Sequence, residues 1–322
     1  MMWCKNKFFI PAFLLCFCAV QAQAGLFGIS FKDRQEFVDA RETYNRGDYR
    51  QAVIELSNYI YKTKNIKRRE ARAYRLLGLS YEHLNQPEKA LEVYLEALEF
   101  HDEDVPLLLA AAALYQHTNL TDRSIELYDR ALALEPNNLE ALSGQAENYI
   151  EMGFYSKARQ YYDEFFRLNP QAPSINRARY AYTFLKQRNY ADAFINITMA
   201  KTEDPEDPSY WLLSARAYKG LNRIDDALAD LDVALQLAPE REDLKPLRAM
   251  WLYQAGNYEQ SLADTQALLA QNPDNELALF MLYMNLQKTG QTKQAREQLK
   301  KIQELDQDSF ARRVADKLLN GK

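Results

Sequence analysis

Residues 71–98 read ARAYRLLGLSYEHLNQPEKALEVYLEAL, and the spacing of their small and bulky residues decides the fold. Leu77, Gly78 and Tyr81 fall at helical intervals, and Ala90, Tyr94 and Ala97 do so again after a break at Asn85, Gln86 and Pro87. The stretch therefore predicts two helices joined by a short turn. A small residue lets one helix backbone approach the next, and a large residue one turn later fills the space beside it.

The same arrangement recurs along the chain. Pro136, Pro170, Pro205, Pro239 and Pro273 follow one another at steps of 34, 35, 34 and 34, each closing an apolar-periodic segment. A second series, Ala90, Ser124, Ala158, Ala193, Ala227, Ser261 and Ala295, keeps the same steps. Ala112, Ala146, Ala181, Ala215 and Ala249 stand where Gly78 does, and Tyr115, Tyr149, Phe184, Tyr218 and Leu252 stand where Tyr81 does. Each period is thus one helix pair, small beside large.

These residues resemble the tetratricopeptide repeat family, whose 34-position pattern sets Leu-Gly/Ala, an aromatic, a small residue, a bulky residue and a proline in this order. Tyr74, Leu77, Gly78 and Tyr81 with Ala90, Tyr94 and Ala97 nearly reproduce it, as do Trp211, Ala215 and Tyr218 with Ala227, Leu231, Ala234 and Pro239. Seven repeats run over 71–307, and a divergent first repeat with a basic loop occupies 33–70, carrying Phe37, Ala40, Gly47-Asp48-Tyr49 and Ala52 at a step of 38 to the next. The resemblance implies an all-α fold, a right-handed superhelical solenoid of about eight tetratricopeptide helix pairs. A solenoid needs closed ends. Residues 308–322 predict a C-terminal capping helix, with Ser309 as its cap, Phe310, Val314 and Leu318 as one stripe, and Ala311 and Ala315 beside it. The segment 25–32 has no helical pattern and either covers the other end or stays mobile.

Residues 1–24 have the three parts of a secretory signal peptide: Lys5 and Lys7, an apolar stretch from Phe8 to Val20, and Ala22-Gln23-Ala24 as the cleavage pattern. The stretch is short for a transmembrane helix and Pro11 interrupts it. Cleavage after Ala24 and residence in the periplasm or cell envelope are expected, with an uncleaved anchor as the alternative. A lipid-modified cysteine is a third route, disfavoured because Leu15 and Phe17 precede Cys16 and Cys18. Cys4, Cys16 and Cys18 all lie in this signal, so the mature chain would form no disulfide.

With 40 Lys and Arg against 45 Asp and Glu, the net charge of −5 offers no general attraction to nucleic acid or to an anionic membrane. No HExxH, GxSxG, glycine-rich phosphate loop or cysteine zinc motif occurs, so no catalytic residue, metal site or cofactor is assigned and an enzyme is not expected. His83 and His117, 34 apart, lack a visible third ligand, and His101 falls in a turn between repeats.

In the tetratricopeptide family the free stripe of each first helix lines a concave groove. Carried over by position, that stripe holds Arg72, Arg75, Glu82 and His83; then Glu140, Glu147 and Glu151; then Lys186, Arg216 and Lys219; then Met250, Tyr253, Phe280 and Met284. The charged members also read as a solvated helix face. The four apolar ones mark either a binding surface or core covered by the capping helix. A terminal-carboxylate clamp of Lys and Asn is missing, because Phe37 and Arg41 stand at its places. Lys62, Lys64, Lys67, Arg68, Arg69, Arg72 and Arg75 put seven cations into fourteen positions, which is either a contact for anionic envelope surface or a lengthened soluble loop. The expected function is a protein-interaction scaffold that binds a peptide or protein partner in cell-envelope complex assembly. Its rivals are an accessory or substrate-handling subunit of an envelope enzyme and a basic-segment tether.

Overall fold

The computed structural model describes residues 31–63, 70–304 and 310–320. The expected signal peptide, most of 25–32, the centre of the basic loop at 64–69 and Ser309 lie outside the described residues. Those described form seventeen α-helices and no strand.

Two compact units divide the chain, Met1–Met152 and Gly153–Lys322. In the first, the helices are α1 (Phe31–Asn45), α2 (Tyr49–Thr63), α3 (Ala71–His83), α4 (Pro87–Leu98), α5 (Val105–His117), α6 (Thr121–Leu134) and α7 (Leu139–Glu151). In the second they are α8 (Tyr155–Leu168), α9 (Ser174–Lys186), α10 (Tyr190–Glu203), α11 (Pro208–Gly220), α12 (Ile224–Leu237), α13 (Leu244–Ala255), α14 (Tyr258–Gln271), α15 (Glu276–Lys288), α16 (Thr292–Ile302) and α17 (Phe310–Asn320). α7 ends the first unit and α8 opens the second.

The turns between paired helices have one construction. Asn85, Asn119, Arg188 and Asn222, with Gly47, Gly153, Gly256 and Gly290, take left-handed backbone conformations. At all of these turns except that of Gly153 the next residue donates its N–H back to the carbonyl five residues earlier, as Gln86 does to Tyr81, Leu120 to Tyr115, Asn189 to Phe184, Arg223 to Tyr218 and Asn257 to Leu252, each at 2.9 Å. Such bonds satisfy carbonyls that a helix end otherwise leaves unpaired. The turns between repeats end in caps: Asp104 accepts from the N–H of Leu107 at 3.0 Å, Asn138 from Ala141 at 3.0 Å and Asn275 from Ala278 at 3.1 Å.

Packing follows the small-beside-large pattern. Ala112, Ala146, Ala181, Ala215 and Ala249 are fully buried, as are the second-helix residues Ala90, Ser124, Ala158, Ala193, Ala227, Ser261 and Ala295. A side chain at Gly78 would overlap the Tyr94 ring, and one at Gly144 the Tyr128 ring. At these positions the first helix has no room for a Cβ.

Polar groups are built into both cores. In the first unit Asn148 donates to Ser124 Oγ at 2.9 Å, Gln116 to Asn148 Oδ1 at 3.0 Å and Gln145 to Asp129 Oδ1 at 2.6 Å, tying α5, α6 and α7 together. In the second, Lys201 Nζ pairs with Asp230 at 2.8 Å, donates to Ser214 and lies 3.8 Å from the centre of the Trp211 ring. At the partly exposed edge of that core Arg248 bridges Asp232 on α12 and Asp264 on α14 at 2.5 and 2.7 Å. Such groups are tolerated in a core only when hydrogen-bonded and paired.

The capping helix differs in detail from its expected stripe. Ala311 and Ala315 are the buried residues, packed with Leu299 and Ile302 of α16 and with Leu279, Tyr283 and Leu319. Leu318 is 49% exposed. The small alanines allow α17 a close approach that bulkier residues would prevent.

Candidate functional site

The stripe residues lie on first helices, as their spacing requires, because the small-residue face of each is consumed by packing. Their surroundings differ from unit to unit. In the first unit α1, α3, α5 and α7 touch in succession. His83 stacks on the Tyr49 ring, 4.0 Å between centroids and 8° between planes, with the Tyr44 hydroxyl 3.4 Å from its Nε2. It is a packing element between repeats. His117, its equivalent on α5, is exposed. Among the described residues no group of His, Cys, Asp and Glu could hold a metal ion.

Glu147 and Glu151 sit on α7. Glu147 is half-buried, while Glu151 is exposed and accepts the Thr121 hydroxyl at 3.1 Å. Burial pushes the carboxyl of Glu140, a further stripe member, above the usual carboxylate range.

The other seven predicted site residues belong to the second unit. Lys186 on α9 is exposed, with its ammonium 5.4 Å from the Tyr155 ring centre and 5.5 Å from that of Tyr182. The neighbouring Tyr182, and then Tyr155, hold its pKa above the ordinary lysine value. Arg216, exposed, and Lys219, half-buried, stand on α11, which touches α9. Arg241 holds the Asp243 carboxyl below its ordinary value, and the charge of Arg216 adds to that effect. Met250 and Tyr253 stand on α13, and Phe280 and Met284 on α15, two helices in contact. Met250 is 37% exposed, whereas Tyr253, Phe280 and Met284 are half-buried. Tyr253 meets Tyr258 edge-on at 5.3 Å, and Phe280 lies 5.9 Å from Tyr283.

The stripe has apolar members that the sequence reading passed over. Leu277, one turn before Phe280, is 54% exposed, and Ile175 at the start of α9 and Leu79 on α3 are exposed too. Each is offset from the repeat's packing position, held by Gly78, Ala181 and Tyr283 in these helices, as the predicted members are. That register was the available signal.

The comparisons agree with this architecture. The model of the N-terminal TPR repeats region of Psidin matches residues 42–175, and two tetratricopeptide repeat models match 143–208 and 252–316. A tetratricopeptide repeat protein from Parabacteroides merdae is similar with a TM-score of 0.57 at 20% identity, over 79% of this chain and 98% of that one. Pseudomonas aeruginosa pilF is similar with a TM-score of 0.57 at 17% identity, over 68% of this chain and 97% of that one. YrrB, described as a TPR protein with an unusual peptide-binding site, is similar with a TM-score of 0.51 at 17% identity, over 59% and 94% of the two chains. No curated protein sequence matches the chain. The repeats, their packing code and these matches make the chain a tetratricopeptide repeat protein.

Proposed function

We propose that the protein is an exported, non-catalytic scaffold that holds a peptide or protein partner against the free face of its first helices, in the assembly of a cell-envelope complex. One observation carries the reading. Met250 and Leu277 remain exposed on adjoining first helices of the second unit, and Tyr253, Phe280 and Met284 are half-buried on the same two helices. Exposed apolar clusters on soluble proteins mark interaction sites, and Met and Tyr suit a surface that adapts while burying area. Lys186, Arg216 and Lys219 add cations on the equivalent face of α9 and α11. The peptide-binding site named for YrrB supports the reading by likeness of fold, and the signal-like residues 1–24 support the location. No described helix is long and apolar enough to cross a membrane.

A photo-crosslinking residue in place of Met250, followed by mass spectrometry, tests the proposal in the cell. Capture of a discrete partner is expected. The exposed pair Met250→Gln with Leu277→Gln, tested by affinity capture of that partner, should weaken binding by about 2 kcal/mol while stability stays within about 0.5 kcal/mol. Capture that is unchanged by the pair would remove this face from the interface.

A further inference from the structure

The first unit holds a cluster of cations that the apolar face of the second does not explain. Arg41 on α1 and Arg72 and Arg75 on α3 line one cavity of about 490 Å³, together with Phe37, Leu76 and Leu79. Arg72 and Arg75 are one helical turn apart, and α1 touches α3. Arg41 and Arg72 are exposed, while Arg75 is half-buried and its Nε is shielded from solvent with no hydrogen-bond acceptor among the described residues. The acids on these helices have other partners: Glu36 pairs with Lys62 at 2.8 Å, Glu70 accepts the Tyr59 hydroxyl at 3.0 Å, and Glu82 accepts, at 2.5 Å, the hydroxyl of Tyr94, which also lines the cavity.

Three guanidiniums with no ion-paired carboxylate among the described residues, one of them with a buried donor unused, form an unusual groove in a chain whose net charge is −5. A buried donor left unmade is costly, and guanidinium pairs most strongly with planar oxyanions that accept two N–H groups at once. The apolar members of the lining require something more than an inorganic anion. A cavity of this size takes side chains, and Phe37, Leu76 and Leu79 offer them an apolar wall.

We propose that this cavity binds an acidic peptide segment of a protein partner, its Asp or Glu side chains paired with Arg41, Arg72 and Arg75 and an apolar side chain between them set against Phe37, Leu76 and Leu79. The proposal rests on the scaffold reading and deepens it, since it gives the first unit a ligand chemistry distinct from that of the second. The overall negative charge repels acidic peptides elsewhere on the surface, so the local cluster also supplies selectivity.

Fluorescence anisotropy of the full chain with a labelled peptide in which Glu alternates with Leu, and with its twin carrying Gln for Glu, tests the proposal. The Glu peptide should bind at least about tenfold more tightly than the twin, and its affinity should fall as salt is raised. Arg41→Gln and Arg72→Gln, both at exposed positions, should each weaken it several-fold, and Arg75→Gln more, with the helical circular dichroism unchanged for the exposed pair. Equal binding of the two peptides, full displacement by inorganic phosphate, or indifference to Arg41→Gln and Arg72→Gln together would overturn it. Failure of the unmodified chain to prefer the Glu peptide, with crosslinking at position 250 intact, would sink this inference alone, whereas absence of crosslinking would sink the scaffold reading of the second unit.

Discussion

The residue that follows each first helix shows how closely backbone geometry constrains this chain. At Gly47, Asn85, Asn119, Gly153, Arg188, Asn222, Gly256 and Gly290 the backbone is left-handed, with φ between 56° and 85°. Glycine adopts that conformation without a Cβ penalty, and asparagine tolerates it, which is why these two types fill seven of the eight places. Arg188, at φ 60°, is the exception, and its side chain is exposed. Left-handed strain costs an ordinary residue about 1–2 kcal/mol, while glycine's extra freedom in the unfolded chain costs about 0.5–1 kcal/mol. Arg188→Gly is therefore expected to stabilise the protein by up to about 1 kcal/mol, read as a higher melting temperature; a lower one would show that the arginine side chain contributes more than its backbone strain removes.

At the scale of elements, the last helix pair is marked by an inversion of the packing code. Tyr283 stands 34 residues after Ala249, where earlier repeats keep Gly or Ala. It packs with Leu279 against the cluster of Leu299, Ile302, Ala311 and Ala315, so a large residue is accommodated where α17 replaces a further repeat. Ending the chain after Glu304 would bare this cluster to water. Because each repeat leans on its neighbours, the loss should stay local. Amide hydrogen exchange in α15 and α16 is expected to accelerate by about tenfold or more, with α3 to α6 unaffected. Unchanged exchange in α15 and α16 would mean that α17 is dispensable as a cap.

At the scale of the whole molecule, the expected export supplies a prediction independent of the helices. Positive residues, apolar stretch and small-residue pattern follow one another in residues 1–24 in the order that signal peptidases require. Intact mass of protein recovered from the envelope fraction should correspond to a chain beginning at Gly25. A mass retaining residues 1–24 contradicts cleavage, and an added lipid points to the cysteine route.

The amino-acid sequence by itself determined the all-helical repeat, because a period of 34 residues and the alternation of Gly78 with Tyr94, or of Ala215 with Tyr218, are written locally and repeated. A helix pair that buries the same face in every copy leaves its signature in each one. It also placed Met250, Tyr253, Phe280 and Met284 on first helices. Only the tertiary structure decided how much of each remains exposed, since Tyr253 and Phe280 spend part of their surface on Tyr258 and Tyr283. The bridge from Arg248 to Asp232 and Asp264, the stacking of His83 on Tyr49, and the gathering of Arg41 with Arg72 and Arg75 likewise join residues on different helices. The physical reason is one of range: periodicity reports which face of a helix is buried, whereas a site depends on which side chains from separate helices meet, how far they reach and which charges are already paired.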